Sequence, residues 1–246
     1  MRAQEPTPPH PNGAPAAPGS PIHRLVAVAA EGVASGAPYM VGSKLLQGWL
    51  TATGVPLSMI GLLSLAELPY TLKLFWAPLL DRWPIPWPDR RRGWLLLLQA
   101  LLAVGIAAMA LLNPHADPSH LLLVGIAAIA LAVVSASQDV MVDAYRTDLM
   151  PEAERGAGAA AGALGYRAAM LAIGAGGFVL AGRLGWPAAF VGSGLLVAAV
   201  LPITLTAPAL APLAHPPRSL REAIVGRRGS SCSAPAAAAP CCCSAW

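Results

Sequence analysis

The order of apolar and polar residues divides this chain into six long apolar runs separated by short polar connectors. A membrane-spanning helix needs about 20 mostly apolar residues, and each run reaches that length. Helix-breaking residues mark three connectors, at 83–88, 113–114 and 150–151. The pattern predicts six transmembrane helices, over residues 25–47, 56–80, 94–113, 120–142, 157–182 and 186–207.

Composition favours membrane helices over a soluble fold. Hydrophobic residues make up 56% of the chain and charged residues 11%, whereas about 25% of a soluble domain is charged. Backbone groups inside a bilayer must bond within their own segment, which favours helices. We therefore predict an all-α polytopic membrane protein surrounded by lipid. Its net charge of +4 is typical of basic residues that set topology, so no nucleic-acid partner is predicted.

The distribution of basic residues predicts that both termini are cytoplasmic. With residue 1 inside, the inside segments hold twelve Lys or Arg residues, and the outside loops hold only Arg183. Short cytoplasmic loops are enriched in these residues. Residues 1–24 are rich in Pro, Ala and Gly and lack the apolar core of a signal peptide. They are predicted to form a disordered arm.

The residues after the last run differ from the apolar body. Residues 208–228 are basic and Pro-rich, and end in a short amphipathic stretch. Residues 229–246 are of low complexity and resemble an out-of-frame translation of GC-rich DNA. All four cysteines lie in this tail, without His or Asp at ligand spacing, so no metal site is predicted.

Seven ionisable residues interrupt the apolar runs, which is many for six helices. A charge at the centre of a bilayer costs at least a few kcal/mol unless it is paired or hydrated. We therefore expect these side chains to face an internal cavity. The acids are Glu31, Glu67, Asp139 and Asp143, and the bases are Lys44, Lys73 and Arg167.

Asp139 and Asp143 are four residues apart, so they share one helix face, and Gln138 lies beside that face. Helix rise places Asp139 and Arg167 at depths where neighbouring helices could bring them together. An arginine fork pairs with carboxylates and equally well holds an anionic ligand. The group is interpreted as a substrate or proton site, with a structural ion pair as the alternative. Asp139 is the first candidate proton carrier and Asp143 the second.

Two further clusters of polar residues each have two alternative interpretations. Lys44 and Gln47, near the outer end of the first run, either contact an anionic or sugar-like ligand, or Lys44 reaches for the outer interface. Asp81, Arg82 and Arg92 flank the connector between the second and third runs. They either form a cytoplasmic gate by ion pairing or include the basic residues that anchor the inside loops.

Short motifs narrow the function class. The chain has no GxxxxGK[ST] loop, no HExxH and no Ser/His/Asp constellation, so neither an ATP motor nor an enzyme is predicted, and no cofactor. The fifth run contains Gly158 and Gly162 in a GxxxG pattern. Small residues let helices approach closely in lipid, so helix packing explains this pattern without a specific dimer.

Four stretches of the apolar body carry a family resemblance. They read GVASGAPY, LPYTLKLFWAPLLDR, RRRGWLLLLQALLAVGIAAMALL and SASQDVMVDAYRTDLMPEAERGAGAAAGALGYRAAML, in chain order. Together they resemble the AmpG muropeptide permeases, a branch of the major facilitator superfamily, over about residues 25–207. The last and longest stretch, 135–171, is the most specific.

The resemblance implies a proton-driven importer of anhydromuropeptides in the bacterial inner membrane, acting in peptidoglycan recycling. Related branches carry siderophores or acetyl-CoA, so another cargo of those kinds is the alternative. By matching position, the transport path would include Gln138, Asp139, Asp143, Tyr166 and Arg167. Lys73 and Asp81 would belong to the signature of the second helix.

The chain departs from this family in two ways. Glu31 and Glu67 stand where the family is expected to have uncharged residues. The family also has a second six-helix bundle, and residues 217–226 resemble only the start of the cytoplasmic linker to it. Facilitator halves are three-plus-three repeats with substrate between the halves. We therefore expect a truncated transporter; the alternatives are a half-transporter acting as a dimer, a non-transporting sensor or scaffold, and an inactive fragment.

Overall fold

The protein folds as a helical bundle, seen here in a computed structural model that describes residues 19–83, 85, 88–112 and 118–210. Over these residues, six helical segments follow one another and no strand occurs. The predicted all-α fold is confirmed. The segments are α1 (Pro21–Ala52), α2 (57–82), α3 (Arg90–Leu111), α4 (Pro118–Leu149), α5 (Glu152–Leu184) and α6 (Trp186–Thr206).

Five segments have the length and apolar composition needed to cross a membrane, namely α1, α3, α4, α5 and α6, with α4 counted from His120. By that measure α2 is not a sixth over its described residues, although it is helical throughout. The helices extend past the predicted apolar runs, because polar residues continue a helix beyond the lipid core. In α4 this extension carries Asp143 and Arg146.

The start of α1 corrects the boundary predicted for the disordered arm. The helix begins at Pro21, inside the range 1–24, and the Ser20 side chain caps it by accepting a hydrogen bond from the backbone N–H of His23. Proline is favoured in the first helical turn because its missing N–H would have no partner there. Residues 1–18 lie outside the described part of the chain, as do residues 211–246.

Helix packing follows a three-plus-three pattern. Among the main contacts, α1 packs against α5, α2 packs against α4, and α3 packs against both α6 and α4. In such a repeat, α1, α2 and α3 correspond in turn to α4, α5 and α6. The α1–α5 pair then corresponds to the α4–α2 pair, and the α3–α6 pair corresponds to itself. This is the relation expected of the two repeats within one half of a facilitator-type transporter.

Glycines bring α1 and α5 into direct backbone contact. A methyl group added at Gly165 would overlap the backbone oxygen of Ala29, and one at Gly32 would overlap the backbone oxygen of Gly162. A methyl group at Gly36 would lie 2.6 Å from the backbone oxygen of Tyr166. The glycines of the fifth run therefore serve helix packing within the chain, as the sequence indicated.

Ion pairs fasten several helix ends at one side of the bundle, here called the basic end and defined by Arg24, Arg91, Arg92, Asp148 and Glu154. Arg24 is buried at the start of α1, and its Nη2 lies 2.8 Å from Glu154 Oε2 at the start of α5. Nε of Arg91, in α3, lies 3.2 Å from Asp148 Oδ2, in α4.

Aromatic contacts join helices at the end of the bundle opposite the basic end. The rings of Trp49 in α1 and Phe190 in α6 lie 5.0 Å apart, edge to face. Phe178 in α5 and Trp186 in α6 make a similar contact at 5.9 Å. Near this end, both α1 and α5 contain a π-helical stretch, at Val41–Leu45 and Ala172–Gly177.

Candidate functional site

A cavity of about 550 Å³ lies between α1, α4 and α5. Small residues from the contact between α1 and α5 border one side of the cavity. Charged residues of α4 and α5 border the rest. Four residues predicted for the transport path line this one space, because their spacing along α4 and α5 puts them on the faces turned toward α1. Its polar lining residues are Ser35, Tyr39, Asp139, Asp143, Arg146, Tyr166 and Arg167.

Asp139 is paired with Lys73 and not with Arg167. The Oδ2 atom of Asp139 lies 3.6 Å from Nζ of Lys73, and both side chains are mostly buried. The Asp139–Arg167 contact considered from the sequence is not formed, because α2 packs directly on α4 and supplies the lysine. The second oxygen, Oδ1, is buried, and the Ser35 hydroxyl of α1 lies close enough to the carboxylate to stabilise its charge.

The remaining charges of the cavity leave one cation without a carboxylate. Asp143 Oδ1 lies 2.9 Å from Arg146 Nη2, one turn further along α4. Arg167 is exposed to the cavity and makes no ion pair or hydrogen bond with any described residue. The site therefore combines two internally neutralised pairs with a free guanidinium, which suits an anionic ligand.

Three tyrosines form an aromatic group beside these charges. Tyr39 makes an edge-to-face contact with Tyr70 at 5.4 Å and a tilted contact with Tyr166 at 6.3 Å. The Tyr70 hydroxyl donates a hydrogen bond to Ser135 Oγ at 2.9 Å, which joins α2 to α4. Of these tyrosines, only Tyr166 was identified from the sequence.

The contribution of α1 to the cavity was missed in the sequence analysis, although a signal existed. Gly32, Ser35 and Tyr39 stand at positions i, i+3 and i+7, the spacing of a single helix face. All three line the cavity. Ser35 Oγ is buried beside the Asp139 carboxylate, so α1 contributes a polar group next to the Asp139–Lys73 pair.

Gln138 does not reach the cavity. It is completely buried, and both polar atoms of its side chain lack partners within residues 19–210 as described. Successive residues in a helix point about 100° apart, so Asp139 faces the cavity and Gln138 turns away from it. The predicted place of Gln138 on the path is therefore corrected by the geometry.

Lys44 and Gln47 also lie apart from this cavity. Lys44 is exposed on the π-helical stretch, and Gln47 is half-buried beside a void of about 30 Å³ that Glu67 also lines. The π-helical turn widens the helix by one residue, which changes the face on which later residues lie. The predicted contact of this pair with a ligand therefore stays a prediction, as does the alternative in which Lys44 reaches for the outer interface.

Arg92 is held by neighbours other than those expected for a gate. Its Nε lies 2.6 Å from Asp89 Oδ2, and its Nη1 donates to the backbone oxygens of Leu205 and Ala207 at the end of α6. An arginine at a helix C-terminus satisfies the last carbonyl groups. Arg82 is exposed, and the Asp81 side chain lies outside the described part of the chain, so the gate stays a prediction.

Metal binding finds no support in the geometry. Within the described ranges, no three His, Cys, Asp or Glu side chains are grouped so that they could hold a metal ion. The four cysteines lie in residues 211–246, outside those ranges. The chemistry available in the cavity is therefore that of carboxylates, cations and aromatic hydroxyls.

A three-plus-three helical bundle with a charged internal cavity is the architecture of one half of a facilitator-type transporter. The sequence agrees: residues 25–241 match the model of the Major Facilitator Superfamily, and the chain belongs to this family. The resemblance to the AmpG branch is also confirmed by named relatives.

Two relatives illustrate the match. The anhydromuropeptide permease of Escherichia coli strain K12 is 42% identical over 195 residues, which are 79% of this chain and 39% of that protein. A Rickettsia felis protein named "Putative transporter AmpG 4" is 34% identical over 174 residues, covering 69% of this chain and 41% of the relative. This chain thus spans about two fifths of the length of these curated relatives.

Proposed function

We propose that this chain is the N-terminal bundle of a proton-coupled transporter that imports anhydromuropeptides across the bacterial inner membrane. The observation that carries the proposal is the cavity between α1, α4 and α5, where Arg167 has no carboxylate partner and Asp139 is paired with Lys73. Charged groups kept inside membrane helices usually handle a solute or an ion.

The cargo is proposed from the chemistry of the cavity and the name of the E. coli relative. An anhydromuropeptide joins sugar rings to a short peptide that carries carboxylates. Arg167 supplies a fork that binds a carboxylate through two parallel hydrogen bonds. The Tyr39 and Tyr166 rings, 6.3 Å apart, offer apolar faces for the sugar.

Proton coupling is proposed for the Asp139–Lys73 pair. Protonation of Asp139 removes its negative charge and ends its attraction to Lys73, which is then left as an unpaired cation. A change of this kind at the junction of α2 and α4 alters the charge that the cargo meets in the cavity. Asp143 is the second candidate, since it also lines the cavity but pairs with Arg146.

A second bundle is the proposed partner. Facilitator transporters place the cargo between two bundles that rock against each other. The cavity of this bundle would then be closed on its open side either by a second six-helix bundle or by a second copy of this chain. The two cases differ in whether the chain transports on its own.

Uptake by vesicles tests the function. We would compare this chain alone with a hybrid in which it replaces the matching two fifths of the E. coli anhydromuropeptide permease. Import of radiolabelled anhydromuropeptide under an inward proton gradient is expected for the hybrid. Import by the chain alone would show that a second copy suffices. If the hybrid inserts at normal abundance but imports nothing above empty vesicles, the proposed function is wrong.

Arg167→Gln is expected to weaken binding of an anhydromuropeptide about ten- to a hundredfold, because a hydrogen bond to a charged group contributes about 1.5–3 kcal/mol. The same substitution at the exposed Arg155, also on α5, serves as the control and should leave affinity unchanged. Affinity for a cargo analogue with amidated carboxylates should be insensitive to both substitutions. Equal affinity of wild type and Arg167→Gln for the natural cargo would remove Arg167 from the binding site.

The orientation of the chain gives a second expected result. All four cysteines lie at positions 232–243, so a thiol reagent reports on the C-terminal segment alone. The distribution of basic residues predicts that the C-terminal segment is cytoplasmic. A membrane-impermeant maleimide should therefore label inverted membrane vesicles and leave intact spheroplasts unlabelled. Labelling of intact spheroplasts would reverse the proposed topology.

A further inference from the structure

Glu31 is a buried carboxyl group that plays no part in the site described above. Its side chain is 1% exposed and lies on the face of α1 that packs against α3 and α6. It stands ten residues into α1 and six residues after the start of the first apolar run, so it lies about 9 Å inside the apolar part of that helix. None of the ion pairs among the described residues involves Glu31.

Three polar side chains from three helices meet at this point and form a closed ring. Glu31 Oε2 lies 2.8 Å from Gln99 Nε2 of α3, and Glu31 Oε1 lies 2.8 Å from Thr204 Oγ1 of α6. The third side is the 3.0 Å contact between Thr204 Oγ1 and Gln99 Oε1. All three side chains are buried, so water does not supply the missing partners.

Counting hydrogens shows what the ring requires. Each of its three contacts can hold one hydrogen; the Gln99 amide supplies one and the Thr204 hydroxyl supplies at most one, because the backbone oxygen of Val200, 3.2 Å from Thr204 Oγ1, competes for it. The third hydrogen must come from Glu31. Reversing the Gln99 amide reverses the direction of the ring and leaves this count unchanged. With an ionised Glu31, two buried oxygens would face each other without a hydrogen between them, which is costly away from water.

We infer that Glu31 is a proton-binding site, separate from the cavity, whose bound proton closes a hydrogen-bonded latch between α1, α3 and α6. Loss of that proton to solvent leaves a buried carboxylate and opens one side of the ring. The inference does not depend on the proposed cargo, because it rests on hydrogen-bond geometry within the bundle.

The ionisable groups around Glu31 do not neutralise it. On α4, the Tyr145 side chain is buried and its hydroxyl donates to the backbone oxygen of Pro208 at 3.1 Å. On α3, Arg92 lies seven residues before Gln99 and is held by Asp89. On α1, Arg24 lies seven residues before Glu31 and pairs with Glu154. The sequence of α6 holds no charged residue.

Infrared spectroscopy of the full chain in lipid nanodiscs tests the bound proton directly. At neutral pH, the difference spectrum of wild type minus Glu31→Gln should show the carbonyl stretch of a protonated carboxylic acid. The difference spectrum for Glu152→Gln, the same change at an exposed position at the start of α5, should lack that band. A Glu31 difference spectrum with carboxylate bands and no acid band would overturn the inference.

Thermal unfolding against pH tests the latch. The Glu31→Gln side chain donates one hydrogen to Thr204 at every pH, so it imitates the protonated acid. A proton held more tightly in the folded state stabilises it at low pH, and this contribution is lost as pH rises. Wild type and Glu31→Gln should therefore unfold together only at or below about pH 4, where the glutamate of the unfolded chain is also protonated, and wild type should unfold at progressively lower temperature as pH rises above that.

Thr204→Val keeps the shape of the side chain and removes the shared hydroxyl. In that background, the stability difference between glutamate and glutamine at position 31 should change. The infrared band of the acid should also shift, because Thr204 either accepts the acid proton or donates to the carbonyl oxygen of Glu31, and both bonds are lost. An unshifted band, or wild-type stability that rises with pH relative to Glu31→Gln, would contradict the latch.

Discussion

Asp139→Asn is expected to abolish proton-driven accumulation of cargo by the hybrid transporter while leaving membrane insertion close to normal. Asparagine has nearly the same shape as aspartate but cannot take up and release a proton. It also leaves Lys73 without its ion-pair partner, 3.6 Å away, so the charge of the cavity no longer depends on protonation. The measurement is uptake of labelled anhydromuropeptide with and without an imposed proton gradient, at matched protein abundance.

Two variants separate this effect from a loss of folding. Asp148→Asn makes the same change on α4 but at the basic end, outside the cavity, and should leave gradient-driven uptake largely intact. Combining Asp139→Asn with Lys73→Gln removes the unpaired lysine, so it should restore any lost abundance but not the accumulation. Normal gradient-driven uptake by Asp139→Asn would exclude Asp139 from the coupling mechanism.

The second large effect is expected at Gly165, where a leucine should prevent α1 and α5 from packing. Even a methyl group there overlaps the backbone oxygen of Ala29, and backbone atoms cannot move aside as a side chain can. Overpacking lowers the free energy of unfolding by about 1–3 kcal/mol where neighbouring atoms can adjust, and we expect a larger loss of stability at Gly165. The measurement is the unfolding temperature of the purified chain in detergent, together with the yield of monodisperse protein.

Gly182→Leu is the matched control, because it lies on the same helix and no atom lies within 4 Å of an added methyl group. Its unfolding temperature should stay near that of wild type. Equal stability of Gly165→Leu and Gly182→Leu would show that the close contact between α1 and α5 does not hold the bundle together.

Much of the fold could be predicted from the sequence, because each segment of a membrane helix satisfies its own backbone hydrogen bonds. Six apolar runs therefore indicated six helical segments. The same local regularity explains why several residues of the predicted site line one cavity. Asp139 and Asp143 share a face through their four-residue spacing, and both line the cavity with Tyr166 and Arg167.

The missed features depend on contacts between distant parts of the chain. Lys73 is 66 positions from Asp139, and only the packing of α2 on α4 shows that it is the partner. The π-helical stretch that carries Lys44 departs from regular helix periodicity, so the face on which Lys44 lies does not follow from the sequence pattern. The ring at Glu31 joins three helices, so no single stretch of sequence reveals it.

The two ends of the bundle are fastened by different forces, and this has a consequence for how they respond to salt. At the basic end, Arg24, Arg91 and Arg92 tie helix termini together through ion pairs and carbonyl contacts. At the opposite end, the edge-to-face aromatic pairs belong to a buried apolar cluster. Dissolved ions screen charge pairs and leave apolar contacts intact, so high salt should loosen the basic end and spare the aromatic end.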